Sequence, residues 1–492
     1  MNGMTPALQE PPPRETAAPP DIFVEPALGP EHVADVMHRL AWYAAPLLSR
    51  GATIHAALEV GIEPASALMT PDSLSEDAHA PLRAHLGQIR FSPRPKRPRG
   101  AIRIIWDGVH AARLGLVTND RVIVADDRSD PHAADAWMRL ALIDAPGLQA
   151  RAAERLSRFA ERIGRPRDAL LVGPGRMDAQ EARFDADLRI ACNAVVEDDA
   201  LWARAGPQIL AFADPWAHAG PSRSAGAFRR RVFERMLESG LTIVTPERCA
   251  VVLEAAAPAC VRELIIPVRE AEDADLLGDT REGILRVRPT GNVLTALMMP
   301  LASWSGATDI KMVGFDAVRS RATGWRHARQ QEALETHLAT AQAHPATAPS
   351  PFSGYAARHR ARARRLADAL RRRGASVKLP EGYADPFDEE AELMNGLAAV
   401  VMRRERLISL GLLAAGAGFA LAGAGLIAAR YGVGPALAAL SPAFLIGFLW
   451  LDTRRRVRIV SAELARRLAR RQARRDALIE ARLRERPDRS ER

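Results

Sequence analysis

At several points in the chain a polar or flexible residue stands directly behind a short apolar run. Open α/β sheets use this arrangement to hold a ligand at the carboxyl ends of their strands. Residues 169–178 read ALLVGPGRMD, and Gly173 and Gly175 permit a tight turn whose main-chain N–H groups can face a phosphate. The run RIACNAV places Asn193 behind a strand, where its side chain either meets a nucleotide or bonds nearby loop backbone. In QILAFADP the position suited to a ligand is Asp214, followed by Pro215, Trp216 and His218. Residues 290–316, TGNVLTALMMPLASWSGATDIKMVGFD, open on Thr290-Gly291, and the glycine lets a loop come close to a bound group. The same stretch closes on Asp316, which is either a loop cap or a carboxylate for a ribose or Mg²⁺. Arg286 and Arg288 precede the Thr-Gly turn; they either neutralise a phosphate or sit as solvated strand residues.

The elements that must position these residues follow from the spacing. DLRIACN, QILAFADP, GLTIVTP, RELIIPV and TDIKMVGFD alternate with helical spans such as AGAFRRRVFERMLES. This is the pattern of a Rossmann-like, three-layer parallel sheet over residues 168–380. Before it, residues 1–30 are rich in Pro, Ala and Glu and predict a disordered tail. Residues 31–100 predict a mostly helical region, typified by VADVMHRLAWYAAPLL, ending in the basic, Pro-broken linker FSPRPKRPRG. Residues 101–163 predict an accessory α/β layer with strands AIRIIWDG and DRVIVADD and two helices. A Pro- and Ala-rich piece near 344–355 reads as a lid over the site.

With 492 residues and 48% apolar content, the chain has room for two or three domains with real cores. The net charge of +9 is concentrated in arginine-rich places. The linker at 91–100 reads as a solvated loop, and no nucleic-acid partner is expected. Cys192, Cys249 and Cys260 lack metal-ligand spacing, so no resident metal is expected and a reduced compartment is. The amino terminus has no basic start followed by an apolar run, so no signal peptide is expected.

Residues 407–429 and 435–451 form two apolar runs around the hinge RYGVG, each near the ~20 residues that cross a bilayer. Arg403, Arg404 and Arg406 precede the pair, and Arg454, Arg455, Arg456 and Arg458 follow it. A buried helical hairpin is the alternative, but the flanks favour a transmembrane hairpin over 403–458 with both ends cytoplasmic. The Arg-rich tail 459–492 then lies against anionic headgroups.

In order, these motifs resemble a superfamily of three branches: bacterial lipooligosaccharide α-2,3-sialyltransferases, motility accessory proteins that glycosylate flagellin, and archaeal 6-hydroxymethylpterin diphosphokinase-like (MptE-like) proteins. The resemblance covers about 168–380 and is carried most specifically by RIACNAV and by TGN with GATDIKMVGFD. It implies a Rossmann-like fold and nucleotide binding. In the sialyltransferase branch Gly173 and Gly175 support the CMP part of the donor, Asn193 contacts the nucleotide, and Thr290-Gly291 lie beside it. His359 falls on the catalytic histidine, which deprotonates the acceptor hydroxyl, and Tyr355 lies one turn away. Gly-Pro-Gly-Arg-Met stands where that family has Gly-Asn-Gly-Pro-Ser, Asp214 replaces an asparagine, and Val318 replaces a tyrosine.

The expected protein is therefore a membrane-anchored glycosyltransferase of the bacterial inner membrane, with a cytoplasmic catalytic domain. It would move a nonulosonic acid from a CMP-activated donor to an envelope glycan or lipid-linked acceptor, with no cofactor required. Two alternatives stay open. One is pyrophosphate transfer from ATP to a pterin, with Mg²⁺ at Asp214 and Asp316. The other is a non-catalytic, membrane-tethered scaffold that binds a nucleotide or a protein partner.

Overall fold

Runs such as DALLV, LRIAC and TIVTP are buried at nearly every position, the pattern of strands covered on both faces. The computed structural model describes residues 18–116, 118–119, 121–125, 133–143, 147–174, 185–290, 292–315, 354–380 and 383. In it these runs form the middle of a nine-stranded sheet. Its strands are β6 (Asp168–Val172), β7 (Leu188–Cys192), β8 (Ile209–Ala211), β9 (Thr242–Pro246), β10 (Ile265–Glu270), β11 (Asp279–Arg281), β12 (Ile284–Val287), β13 (Asp309–Val313) and β14 (Ser376–Lys378). The order is β11-β12-β10-β9-β8-β7-β6-β13-β14, with every pairing parallel except β11 to β12. From β6 the chain steps outward through β7 to β10, then returns to lay β13 on the other side of β6. The order reverses between β6 and β13, which makes the carboxyl ends of those strands the topological switch point. The expected parallel α/β architecture is therefore present.

The region before it differs from expectation. β1 (Ile22–Leu28), β2 (Ile54–Leu58), β3 (Ile89–Ser92), β4 (Ile102–Ile105) and β5 (Val122–Val124) form a second, all-parallel sheet. Its order is β3-β2-β1-β4-β5, so this sheet reverses between β1 and β4. The disordered tail drawn to residue 30 overlaps the central strand β1, whose Ile22, Val24 and Leu28 are wholly buried. The mostly helical 31–100 segment does contain the helix Val33–Leu48, but β2 and β3 lie within it too. Residues 101–163 supply β4 and β5 to this sheet rather than a separate layer.

One apolar cluster joins the two sheets, running from Ile22, Leu40 and Trp137 to Leu210, Phe212 and Ile243. The helix Val33–Leu48 is buried on almost all sides, because it packs against its own sheet, Ala133–Leu142 and Glu247–Ala256. Tyr43 stacks on Trp137 with ring centroids 5.4 Å apart, and Trp42 Nε1 donates to Ala219 O at 3.0 Å. The helix Arg223–Ser239, which leaves the nine-stranded sheet, sends Arg229 into this seam. The buried guanidinium donates to both carboxylate oxygens of Asp77 and to Gly220 O, and lies 4.3 Å from the Trp42 ring centre. A pair of this kind adds little net stability, but removing one partner strands the other groups.

The chain divides into two compact units, residues 1–348 with 363–381 and residues 349–362 with 382–492. Both sheets belong to the first. Among the described residues no helix is long and apolar enough to cross a membrane, and the hairpin expected at 403–458 lies outside them. All three cysteines are free thiols.

Candidate functional site

The carboxyl edge of the nine-stranded sheet gathers three of the expected residues on successive strands. Gly173 follows β6, Asn193 follows β7 and Asp214 stands just beyond β8. The pairings Val172 to Ala191 and Cys192 to Ala211 hold those strand ends level, with about 4.8 Å between neighbouring strands.

Gly173 is a glycine for a reason the sequence does not display. Its N–H donates to Val313 O at 2.8 Å, so the loops leaving β6 and β13 depart side by side. A Cβ on Gly173 would collide with Gly314 O and lie 2.8 Å from the Phe315 ring. A Cβ on Gly314, whose φ is +71°, would collide with Gly173 O. Two backbones thus touch at the switch point, which only paired glycines permit.

Asn193 stands out on the same edge. It takes φ +50°, a left-handed conformation that asparagine tolerates better than most non-glycine residues and at a cost of at most about 1 kcal/mol. It starts the short 3₁₀ turn Asn193–Glu197. Its Oδ1 is buried and has no hydrogen-bond partner among the described residues. Leaving a buried amide oxygen unpaired costs about 1–3 kcal/mol. A left-handed backbone and an acceptor without a partner among the described residues thus coincide beside the switch point, which makes Asn193 the candidate ligand contact of this edge. The neighbouring Cys192 is no nucleophile, since burial pushes its thiol up to about 12 and it keeps its proton at neutral pH.

The other expected residues have local tasks. Asp214 Oδ1 accepts from Trp216 N at 3.0 Å and Ala217 N at 2.8 Å, capping the turn Pro215–Ala219. Thr290 shares a 2.8 Å hydroxyl contact with the buried Thr295, whose turn Leu294–Met298 packs on β7, the strand that ends at Asn193. Arg288 donates to Ala274 O at 2.5 Å, and Arg286 is held by Asp273 and Asp279. Both arginines thus brace the 271–279 loop. Gly175, Gly291 and Asp316 lie outside the described residues, as does the Tyr355 side chain.

His359 belongs to the second unit. There its Nε2 shares a 2.9 Å hydrogen bond with the Tyr383 hydroxyl, and the rings meet edge to face at 5.6 Å. Burial, then the charges of Arg360 and Arg362, push its pKa down to about 4, so it is neutral at pH 7.

Sequence reasoning missed two features: the Gly314 partner of Gly173 and a buried pair, His38 with His79. Members of each pair are distant in sequence, and no local pattern links them. No family model, curated protein or solved structure matches this chain. What fold and edge define together is a parallel α/β protein in which, among the described residues, Asn193 combines a left-handed backbone with an unsatisfied buried oxygen beside the switch point.

Proposed function

We propose that this chain is a nucleotide-dependent glycosyltransferase with a Rossmann-like domain, taking its sugar from a CMP-activated donor. The observation that carries this reading is Asn193, with its left-handed backbone and a buried Oδ1 that has no partner among the described residues, at the carboxyl edge. The exocyclic amine of cytosine or a ribose hydroxyl supplies the donor hydrogen that this oxygen lacks. The apolar runs at 407–451 and their arginine flanks anchor the protein in the inner membrane, on the side where nucleotide-activated sugars are made. The acceptor is accordingly an envelope glycan or lipid-linked sugar.

In the transfer, the acceptor hydroxyl oxygen bonds to the anomeric carbon, the bond from that carbon to the phosphate oxygen breaks, and CMP leaves with the electron pair. The resemblance assigns His359 the role of taking the hydroxyl proton. A base held near pKa 4 takes that proton late, once the oxygen has bonded to carbon and become strongly acidic.

The test is a thermal-shift panel on the full-length protein in mild detergent. The ligands are CMP, CMP-sialic acid, UDP, GDP and ATP, each with and without Mg²⁺. Binding to the native state raises the midpoint by an amount set by RT ln(1 + [L]/Kd). The expected result is a metal-independent rise with the CMP compounds that is lost in Asn193→Ala. A rise with ATP and Mg²⁺ alone moves the assignment to pyrophosphate transfer, and no rise with any ligand moves it to a scaffold.

A further inference from the structure

Away from the nucleotide edge, the 70–79 loop lies against the start of the helix Arg223–Ser239. Leu74 bridges to Ser222, and Ser75 N donates to Pro221 O at 2.9 Å. Between them is a cavity of about 400 Å³ lined in part by His79, Arg223, Arg230, Asp72 and Glu76, within the size range of small-molecule sites. His79 is buried yet lines this cavity.

Hydrogen-bond partners fix the protons on the histidine pair. Met69 O lies 3.1 Å from His38 Nε2 and can only accept, so that nitrogen carries a hydrogen. In the neutral ring His38 Nδ1 is then a lone pair. Its neighbour at 3.3 Å, His79 Nδ1, must be the donor. Nε2 of His79 is left as a lone pair, with no hydrogen-bond partner among the described residues. The charged groups around the pair are Arg83, Asp35, Asp77 and Glu76. Burial, His79 and Arg83 outweigh the Met69 hydrogen bond and Asp35 in holding His38 down to about 4. At His79, burial and Arg83 outweigh Asp77 and Glu76, and its pKa is also lowered.

The cations on the cavity wall are available for a ligand. Arg223 meets Asp72 at 3.4 Å, but both side chains are well exposed at 63% and 101%. Such a pair holds little energy against a competing anion. We infer that this cavity binds a small hydroxylated anion, the chemistry shared by sugar acids and sugar phosphates. Arg223 and Arg230 take the anionic group, His79 Nε2 accepts one hydroxyl hydrogen, and Asp72 and Glu76 accept others. The site is separate from the nucleotide edge and stands whether or not that reading holds.

The experiment is calorimetric titration of the full-length protein with glycerol 3-phosphate, glycerate, sulfate and glycerol. It is paired with diethyl pyrocarbonate labelling mapped by peptide mass. Glycerol 3-phosphate or glycerate should bind at least ten-fold more tightly than sulfate, which lacks the hydroxyl, and glycerol should not bind. The tighter of the two identifies the anionic group as phosphate or carboxylate. Arg230→Gln, an exposed change that leaves the fold intact, should weaken binding about ten-fold, and His79→Gln should remove the preference over sulfate. His79 should label in the free protein and be protected by the ligand. Sulfate binding as tightly as the hydroxylated anions, an unaffected Arg230→Gln, no binding at millimolar concentration or an unreactive His79 would each overturn the assignment.

Discussion

The two sheets reverse direction in the same way but treat the reversal point differently. In the five-stranded sheet the strand beside it ends in Leu28-Gly29-Pro30, and in the nine-stranded sheet in Val172-Gly173-Pro174. At the first of these points the protein's own side chains lie close to the turn. The Glu59 carboxylate sits over Gly29, the Trp106 indole donates to Pro26 O at 2.8 Å, and His32 lies against that indole at 4.9 Å. At the second point, two backbones are pressed together and the next strand along ends in Asn193, with a left-handed backbone and an oxygen that has no partner among the described residues. A switch point is a geometry that permits a ligand, and the fate of its polar groups shows whether one is expected. By that criterion the second switch point, and not the first, is the one we propose to hold a ligand.

The largest effect expected is at the paired glycines. Gly314→Ala sets a Cβ against the Gly173 carbonyl at φ +71°, and overpacking together with left-handed strain should cost about 4 kcal/mol. Gly29→Ala is the control. Its Cβ would meet only the end of the exposed Glu59 side chain at 3.0 Å, so the loss should stay under ~1 kcal/mol. Denaturant midpoints of the two variants compare the points directly, and equal losses would erase the distinction. Next, Arg229→Ala should cost about 3 kcal/mol, because Gly220 O and the Trp42 face lose their partner across the seam between the sheets. A loss below ~1 kcal/mol would mean that the sheets are held together without it.

A pH effect of similar size should arise from His38. Its pKa falls from 6.5 to about 4 on folding, so between those values the unfolded chain binds a proton that the native state does not. Stability is therefore fully present above pH 6.5 and declines as the pH falls toward 4, by up to ~3 kcal/mol. His359, also lowered to about 4, acts with the same sign. Urea midpoints at pH 7 and 4.5 should differ less in His38→Gln than in wild type. The smallest effect on stability belongs to Asn193→Gly, which removes the left-handed penalty and should gain at most ~1 kcal/mol. The same change should weaken nucleotide binding about ten-fold. A variant that becomes more stable while keeping its affinity would contradict the role given to Asn193.

Much of the nine-stranded sheet was legible in the sequence, because its central strands are mostly apolar and are separated by helices. The runs at 187–193, 240–246 and 308–316 contain β7, β9 and β13. Of the first sheet, β4 and β5 were legible within AIRIIWDG and DRVIVADD, and β1 to β3 were not. IFVEPAL is interrupted by Glu25-Pro26, and IHAAL and IRFS are short and weakly apolar, so only pairing in three dimensions makes them strands. At the site, Asn193 was found by its position behind a strand. Its conformation and orphaned oxygen are tertiary facts that no spacing encodes. Asp214 shows the converse. The Asp-Pro pair that suggested a ligand also suits an N-terminal cap, and Oδ1 serves as that cap in the folded chain.

The most direct test of the central claim is amide hydrogen exchange on the full-length protein with and without CMP-sialic acid. Exchange should slow at 172–173 and 192–197, around the second switch point, and stay unchanged at 28–32 and 106–109, at the first. Protection at the first switch point alone, or at neither under saturating ligand, would contradict that claim.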